Sequence, residues 1–170
     1  ACVVGVFIGV LSMATGFQRT MTSSGSPDSV IIMRAGATSE MSSGMGYDQT
    51  QLIATMPGIK KDGDTPLSSA ELFVVVDITK KTNSASANVS LRGVQPSAFK
   101  VRDHFKIVEG RNFVPGKNEL IVGRAAQKQF NNLALGSSIK FGQTQWEVVG
   151  VFEDKGGLSE SELWCDAKIL

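Results

Sequence analysis

The sequence predicts an α+β fold: a mixed α/β extracytoplasmic domain of short helices on small β-sheets, placed after an N-terminal transmembrane helix. Three observations predict it. Short runs rich in Val, Ile and Phe, separated by glycine-bearing turns, recur through residues 71–170 as strands do. Brief segments with helix start and stop signals stand among them. An uncharged apolar run, ACVVGVFIGVLSMATGF, occupies residues 1–17. The 170 residues fit one domain of ordinary size, or one domain plus an anchor. Seventeen Lys and Arg against 16 acids leave no field strong enough to point to nucleic acid.

At ~1.5 Å per residue, the N-terminal run covers about 25 Å as a helix, slightly short of a ~30 Å hydrocarbon core. It carries no basic n-region and no initiator Met. It is therefore read as the C-terminal part of a first membrane helix, residues 1–21, with the extracytoplasmic domain in 22–170. A signal-peptide hydrophobic region and a buried soluble helix are the competing readings; Ser-Met-Ala-Thr-Gly offers small residues but no good Ala-x-Ala site. Gly5 and Gly9, then Ser12 and Gly16, form small-xxx-small pairs of the kind that let helices approach in lipid.

Beyond the run, Ser26-Pro27-Asp28 is a turn and residues 29–34 (SVIIMR) are a compact strand. Residues 35–46 are loop, with Met41 and Met45 at helical spacing. Asp48 caps a short helix over 49–55, stopped by Pro57-Gly58. Residues 59–66 (IKKDGDTP) are a charged turn. Residues 71–81 and 87–94 form a hairpin with Val89, Leu91 and Gly93 on one face. Residues 96–99 are a helical turn, 105–109 and 119–122 are strands, and 123–130 is a helix. Strands at 138–141 and 145–152 flank Gly142-Gln143-Thr144, a three-residue hairpin loop. Gly156-Gly157 breaks the chain, and a last strand starts at Glu162 and is expected to continue past Leu170.

No constellation of catalytic residue types accompanies these elements. Cys2 lies inside the apolar run and Cys165 inside a strand, so neither a disulfide framework nor a CxxC site is expected. His104 is the single histidine, which excludes HExxH and multi-histidine metal sites. No GxSxG occurs, and Asp103 beside His104 does not make a triad. The segment Gly110 to Lys117 resembles a phosphate loop but spaces its glycines by five residues instead of four. It also has Asn118 where magnesium needs Ser or Thr, and strands rather than a helix flank it. Asp62 and Asp64 around Gly63 lack the remaining ligands of a calcium loop. Asn88-Val89-Ser90 matches a glycosylation sequon, a pattern of low specificity. Arg92, Arg102 and Arg111 bracket the central strands, where salt-bridged or solvated arginine is the ordinary reading and contact with a partner the alternative. The expected site residues are thus none: no catalytic, cofactor-binding or metal-binding position, and no cofactor.

Four pieces, in order after the apolar run, carry a resemblance. They are Gly93-Val94-Gln95-Pro96-Ser97-Ala98-Phe99 (G-V-x-P-x-x-F), Glu109-Gly110-Arg111-Asn112-Phe113 (x-G-R-x-F), the strand–helix 119–130 (V-x-G-x-x-A-x-x-x-F), and Leu135-Gly136 followed by 146–154 (V-V-G-V). Together they resemble the MacB-type periplasmic core domain of ABC-transporter permeases in the FtsX-like superfamily. Gly110, Gly136 and Gly150 then suit tight backbone geometry, and Phe113, Phe130, Phe141 and Trp146 fill the core.

The resemblance implies a permease subunit of the bacterial cytoplasmic (inner) membrane, its main domain facing the periplasm or cell exterior. Such a domain couples ATP-driven motion of membrane helices to substrate export or extraction. The implied partners are an ABC ATPase subunit, a second permease protomer and, in some members, a periplasmic adaptor. The domain itself is not an enzyme; ATP hydrolysis belongs to the ATPase. The alternative is a signal-anchored extracytoplasmic binding or scaffold protein without transport activity.

Overall fold

The computed structural model describes residues 2–23 and 28–170; the turn expected at Ser26-Pro27 lies outside them. The chain starts with helix α1, Cys2–Ser23, and all its described side chains, residues 4–18, are exposed. Gly5, Gly9 and Gly16 face open space. Among the described residues no helix is long and apolar enough to cross a membrane.

After a 3-10 turn at Glu40–Ser42 come helix α2 (Tyr47–Ala54) and the two-residue strands β1 (Lys61–Asp62) and β2 (Thr65–Pro66). Then follow β3 (Leu72–Thr79), β4 (Ser86–Val94), helix α3 (Ala98–Val101), β5 (Lys106–Gly110), β6 (Glu119–Gly123), helix α4 (Arg124–Gln129), β7 (Ser138–Phe141), β8 (Thr144–Glu153) and β9 (Leu163–Asp166). The seven strands β3 to β9 make one mixed sheet in the order β3-β4-β9-β6-β8-β5, with β7 also on β8. β4–β9 and β6–β8 run parallel and the other pairs antiparallel. Because β6 spans the same β8 residues as both others, β5 and β7 lie end to end along the opposite edge of β8.

Alternation along the strands fills both faces of this sheet. Leu91, Leu120, Val122, Val148, Val151, Leu163 and Cys165 point to one side, where Ala126 of α4 and Phe130 cover them. Ile121, Val149, Phe152 and Trp164 point to the other, under Ala98 of α3 and Phe113. The expected core aromatics Phe113, Phe130 and Trp146 are buried, and Phe141 packs against the first side half-buried. Val89, Leu91 and Gly93 are all buried on β4, as the hairpin reading required.

Five local expectations need correction. Residues 29–34 run without regular secondary structure and are exposed, Val30 at 78%. Their β-branched character favours a pleated surface, but among the described residues no neighbouring strand pairs with them. α2 begins at Tyr47, not after Asp48, because the Gln49 side chain accepts the N–H of Gly46 and fixes Gly46 as the cap. The turn of residues 96–99 becomes α3 two residues later, behind a Gln95–Ala98 backbone bond. The β7–β8 hairpin loop holds two residues, since Phe141 pairs with Thr144, and Gly142 at φ +57° takes the first central position of the turn. The last strand stops at Asp166, whose carboxylate accepts the N–H groups of Gly116 and Lys168 and turns the chain.

Candidate functional site

The polar feature that the fold assembles from the most distant parts of the sequence is an arginine–carboxylate knot centred on Arg92. β4 carries Arg92 opposite Phe73 of β3 and Trp164 of β9, so its side chain emerges between two strands that each follow a glutamate, Glu71 and Glu162. Glu162 receives Nε at 2.8 Å and Nη2 at 2.9 Å, a two-pronged pairing that fits the planar guanidinium. Nη1 donates to Glu40 at 2.6 Å and to Glu71 at 3.1 Å. Arg102, just after α3, grips Glu71 with two bonds of 2.8 Å. Glu40 comes from the 3-10 turn in the segment between α1 and α2.

The knot rests on the aromatic cluster of the second core face. Trp164, fully buried, donates its indole N–H to Glu162 and stacks on Phe105 at 5.4 Å and 8°. Arg102 lies 4.7 Å above the Trp164 ring, and Arg92 lies 5.0 Å above Phe73. Burial alone would push the Arg92 pKa down, but Glu162, Glu40 and Glu71 outweigh it and hold it above the ordinary value. Burial likewise pushes the Glu71 carboxyl up, and Arg102, Arg92 and the Ser69 hydroxyl together keep it below the ordinary value.

A second buried charge sits at the other end of the sheet. Glu119 opens β6 and receives Arg111 at 2.6 and 2.8 Å together with the Val114 N–H at 2.8 Å. Arg111 above all, opposed by burial and helped by that N–H, holds Glu119 down at about 2. This geometry also settles the loop 110–118. Its amides at Val114 and Gly116 donate to Glu119 and Asp166 of the same chain, so the positions where a phosphate would be cradled are filled by the protein's own carboxylates.

The other residues weighed on the sequence are scattered. His104 is exposed, its Nε2 3.1 Å from Lys155 Nζ, and Asp103 is exposed beside it. Asp62 pairs with Lys100 across the surface. Asn88 is exposed on β4, opposite Asp77. Among the described residues no three His, Cys, Asp or Glu side chains group as metal ligands. Cys165 is fully buried; burial and then Asp166 push its thiol up to about 12. Arg92, Arg102 and Arg111 are all ion-paired, the ordinary one of their two readings. Sequence reasoning missed their partners Glu40, Glu71, Glu162 and Glu119. The available signal was an acid directly before an apolar strand, as at Glu71-Leu72 and Glu162-Leu163.

The family described as MacB-like periplasmic core domain matches residues 1–169. No curated protein sequence matches the chain. Among solved structures, the extracellular domain of the noncanonic ABC-type transporter YknZ from Gram-positive bacteria is similar at 20% identity and a TM-score of 0.51, over 74% of this chain and 64% of that one. The periplasmic region of MacB from Actinobacillus actinomycetemcomitans is similar at 15% identity and a TM-score of 0.45, over 71% and 54% respectively. The chain thus spans between half and two thirds of the length of these domains.

Proposed function

The chain belongs to the MacB-like periplasmic core domain family, and from that premise we propose that it is the extracytoplasmic part of an ABC-type permease subunit. In this reading the domain faces the periplasm or cell exterior from the bacterial cytoplasmic membrane, and α1 holds the C-terminal part of the first membrane helix, residues 1–21. ATP-driven motion of the membrane helices passes through the domain to export or extract a substrate. An ABC ATPase subunit and a second permease protomer are its partners, joined in some members by a periplasmic adaptor, and hydrolysis takes place on the ATPase and not here.

The family match over nearly the whole chain carries the proposal. Two physical features support it. Residues 4–17 of α1 are exposed and uncharged, with apolar side chains around the helix, and a helix apolar all round is stable only in apolar surroundings such as lipid or neighbouring helices. The sheet is filled on both faces and tied by ion pairs to the nearly covered carboxylates Glu162 and Glu119, which suits a body that moves as a unit. The test is affinity purification of the complete gene product from membranes, with identification of what accompanies it. An ABC ATPase whose turnover changes on reconstitution with the permease is the expected result. A free, soluble domain that folds without residues 1–21 and associates with no ATPase overturns it in favour of a signal-anchored scaffold.

A further inference from the structure

We propose that the Glu40–Arg92 ion pair is a releasable joint between the segment following α1 and the rigid sheet, built to open without unsettling the core. The proposal rests on the coupling reading above and deepens it.

Charge balance in the knot is the first argument. Arg92 and Arg102 face three carboxylates, Glu40, Glu71 and Glu162, leaving one surplus negative charge while Glu40 is engaged. When Glu40 leaves, two arginines face two carboxylates and the knot is neutral. Breaking a buried pair is costly mainly because it strands a charge without a partner. Here nothing is stranded: Arg92 keeps its two-pronged bond to Glu162 and its bond to Glu71, and Glu71 keeps Arg102.

Position is the second. Glu71 and Glu162 adjoin β3 and β9 and are nearly covered, at 16% and 14% side-chain exposure, whereas Glu40 is at 32% and regains water at once when it withdraws. It stands on a three-residue 3-10 turn whose other hydrogen bonds stay within its own segment, among Ser39, Ser42 and Ser43 and from the Arg34 N–H to the Ser43 hydroxyl. That turn can therefore shift as a piece. Displacement of α1 reaches the sheet through this segment, so the engaged and released states of Glu40 are two discrete arrangements that such a displacement can bias.

Hydrogen–deuterium exchange of the 170-residue chain tests the joint without transport or an ATPase. In Glu40→Ala and Glu40→Gln, the amides of Ser42 and Ser43 should exchange about two- to fivefold faster, while those of β4 and β9 stay at wild-type rates. Glu162→Gln should instead raise exchange in β4 and β9. Acceleration of β4 and β9 in the Glu40 variants, or no change at Ser42 and Ser43, overturns the joint. Release on exchange, combined with unchanged ATPase coupling of Glu40→Ala in the complete transporter, leaves the joint standing and counts against the coupling reading instead.

Discussion

Alanine at Gly150 is the sharpest test of how the sheet is packed. Gly150 sits on β8 directly opposite Gly110 on β5. A Cβ added there would lie 2.1 Å from the carbonyl oxygen of Arg111 and 3.0 Å from its carbonyl carbon. Carbon and oxygen do not come within about 3 Å without strong repulsion, so the two strands must part by roughly 1 Å. Both sides of the contact are backbone, and no side chain can swing aside. Parting strains the Arg111 N–H to Val149 carbonyl bond of 2.9 Å and the pairing beside it. Overpacking costs about 1–3 kcal/mol and each weakened ladder bond about 1 kcal/mol, which gives a loss of about 3–4 kcal/mol. For a chain of this size that lowers the thermal midpoint by about 10 °C. The assay is urea and thermal unfolding followed by far-ultraviolet circular dichroism. Gly136→Ala is the control: its φ of +78° strains a side chain, but open space surrounds it, so about 1–2 kcal/mol is expected. A Gly150→Ala chain within about 0.5 kcal/mol of wild type, or more stable than Gly136→Ala, refutes the argument.

Three further outcomes are expected. Arg92→Met leaves Glu162 and Glu71 buried without their shared cation and should destabilise by about 3–5 kcal/mol in urea unfolding, whereas Glu40→Ala should cost less than about 1 kcal/mol. Glu119 titrates at about 2 in the fold against an ordinary 4.5, so its contribution is complete above pH 4.5 and is lost as pH falls towards 2. Stability measured across that window should drop, and Glu119→Gln, itself costing about 1–3 kcal/mol at neutral pH, should flatten the slope. Cys165, wholly buried with its thiol pushed up to about 12, should resist alkylation in the native chain and react readily once guanidinium unfolds it, as read by mass spectrometry of its peptide.

The stretch from Leu91 to Asp154 was the most legible because its alternation coincides with what is buried. Leu120 and Val122 face one side and Ile121 the other, and the turns around Gly116, Gly136 and Gly142 all adopt positive φ. Residues 29–34 misled because strand propensity describes a fit to a pleated neighbour, and the neighbour is missing. Helix limits slipped by a residue or two where a side-chain bond, such as Gln49 to Gly46, chose the start. The knot was half legible. Ion pairing was the ordinary reading of Arg92, but its partners stand 21, 52 and 70 positions away, at a range that local pattern does not reach. No resemblance supplied them either, since the motifs that carry it follow glycines and aromatics.

The place of β9 governs the order in which the domain can be completed. This four-residue strand is the last of the described strands, yet it lies between β4 and β6 and pairs the β3–β4 hairpin with the rest of the sheet. In a chain made from its N-terminus, the β3–β4 hairpin and the strands β5 to β8 therefore share no strand pairing until residues 163–166 emerge, and meet only through the isolated Lys80–Phe130 bridge, the backbone bonds beside it and side-chain packing. During that interval β4 keeps one raw edge, and Arg92 lacks the Glu162 immediately upstream of β9. Closure of the sheet and completion of the charge knot are thus one event, and slow decoding near residue 160 would leave the hairpin held to the other strands only by that bridge and its packing.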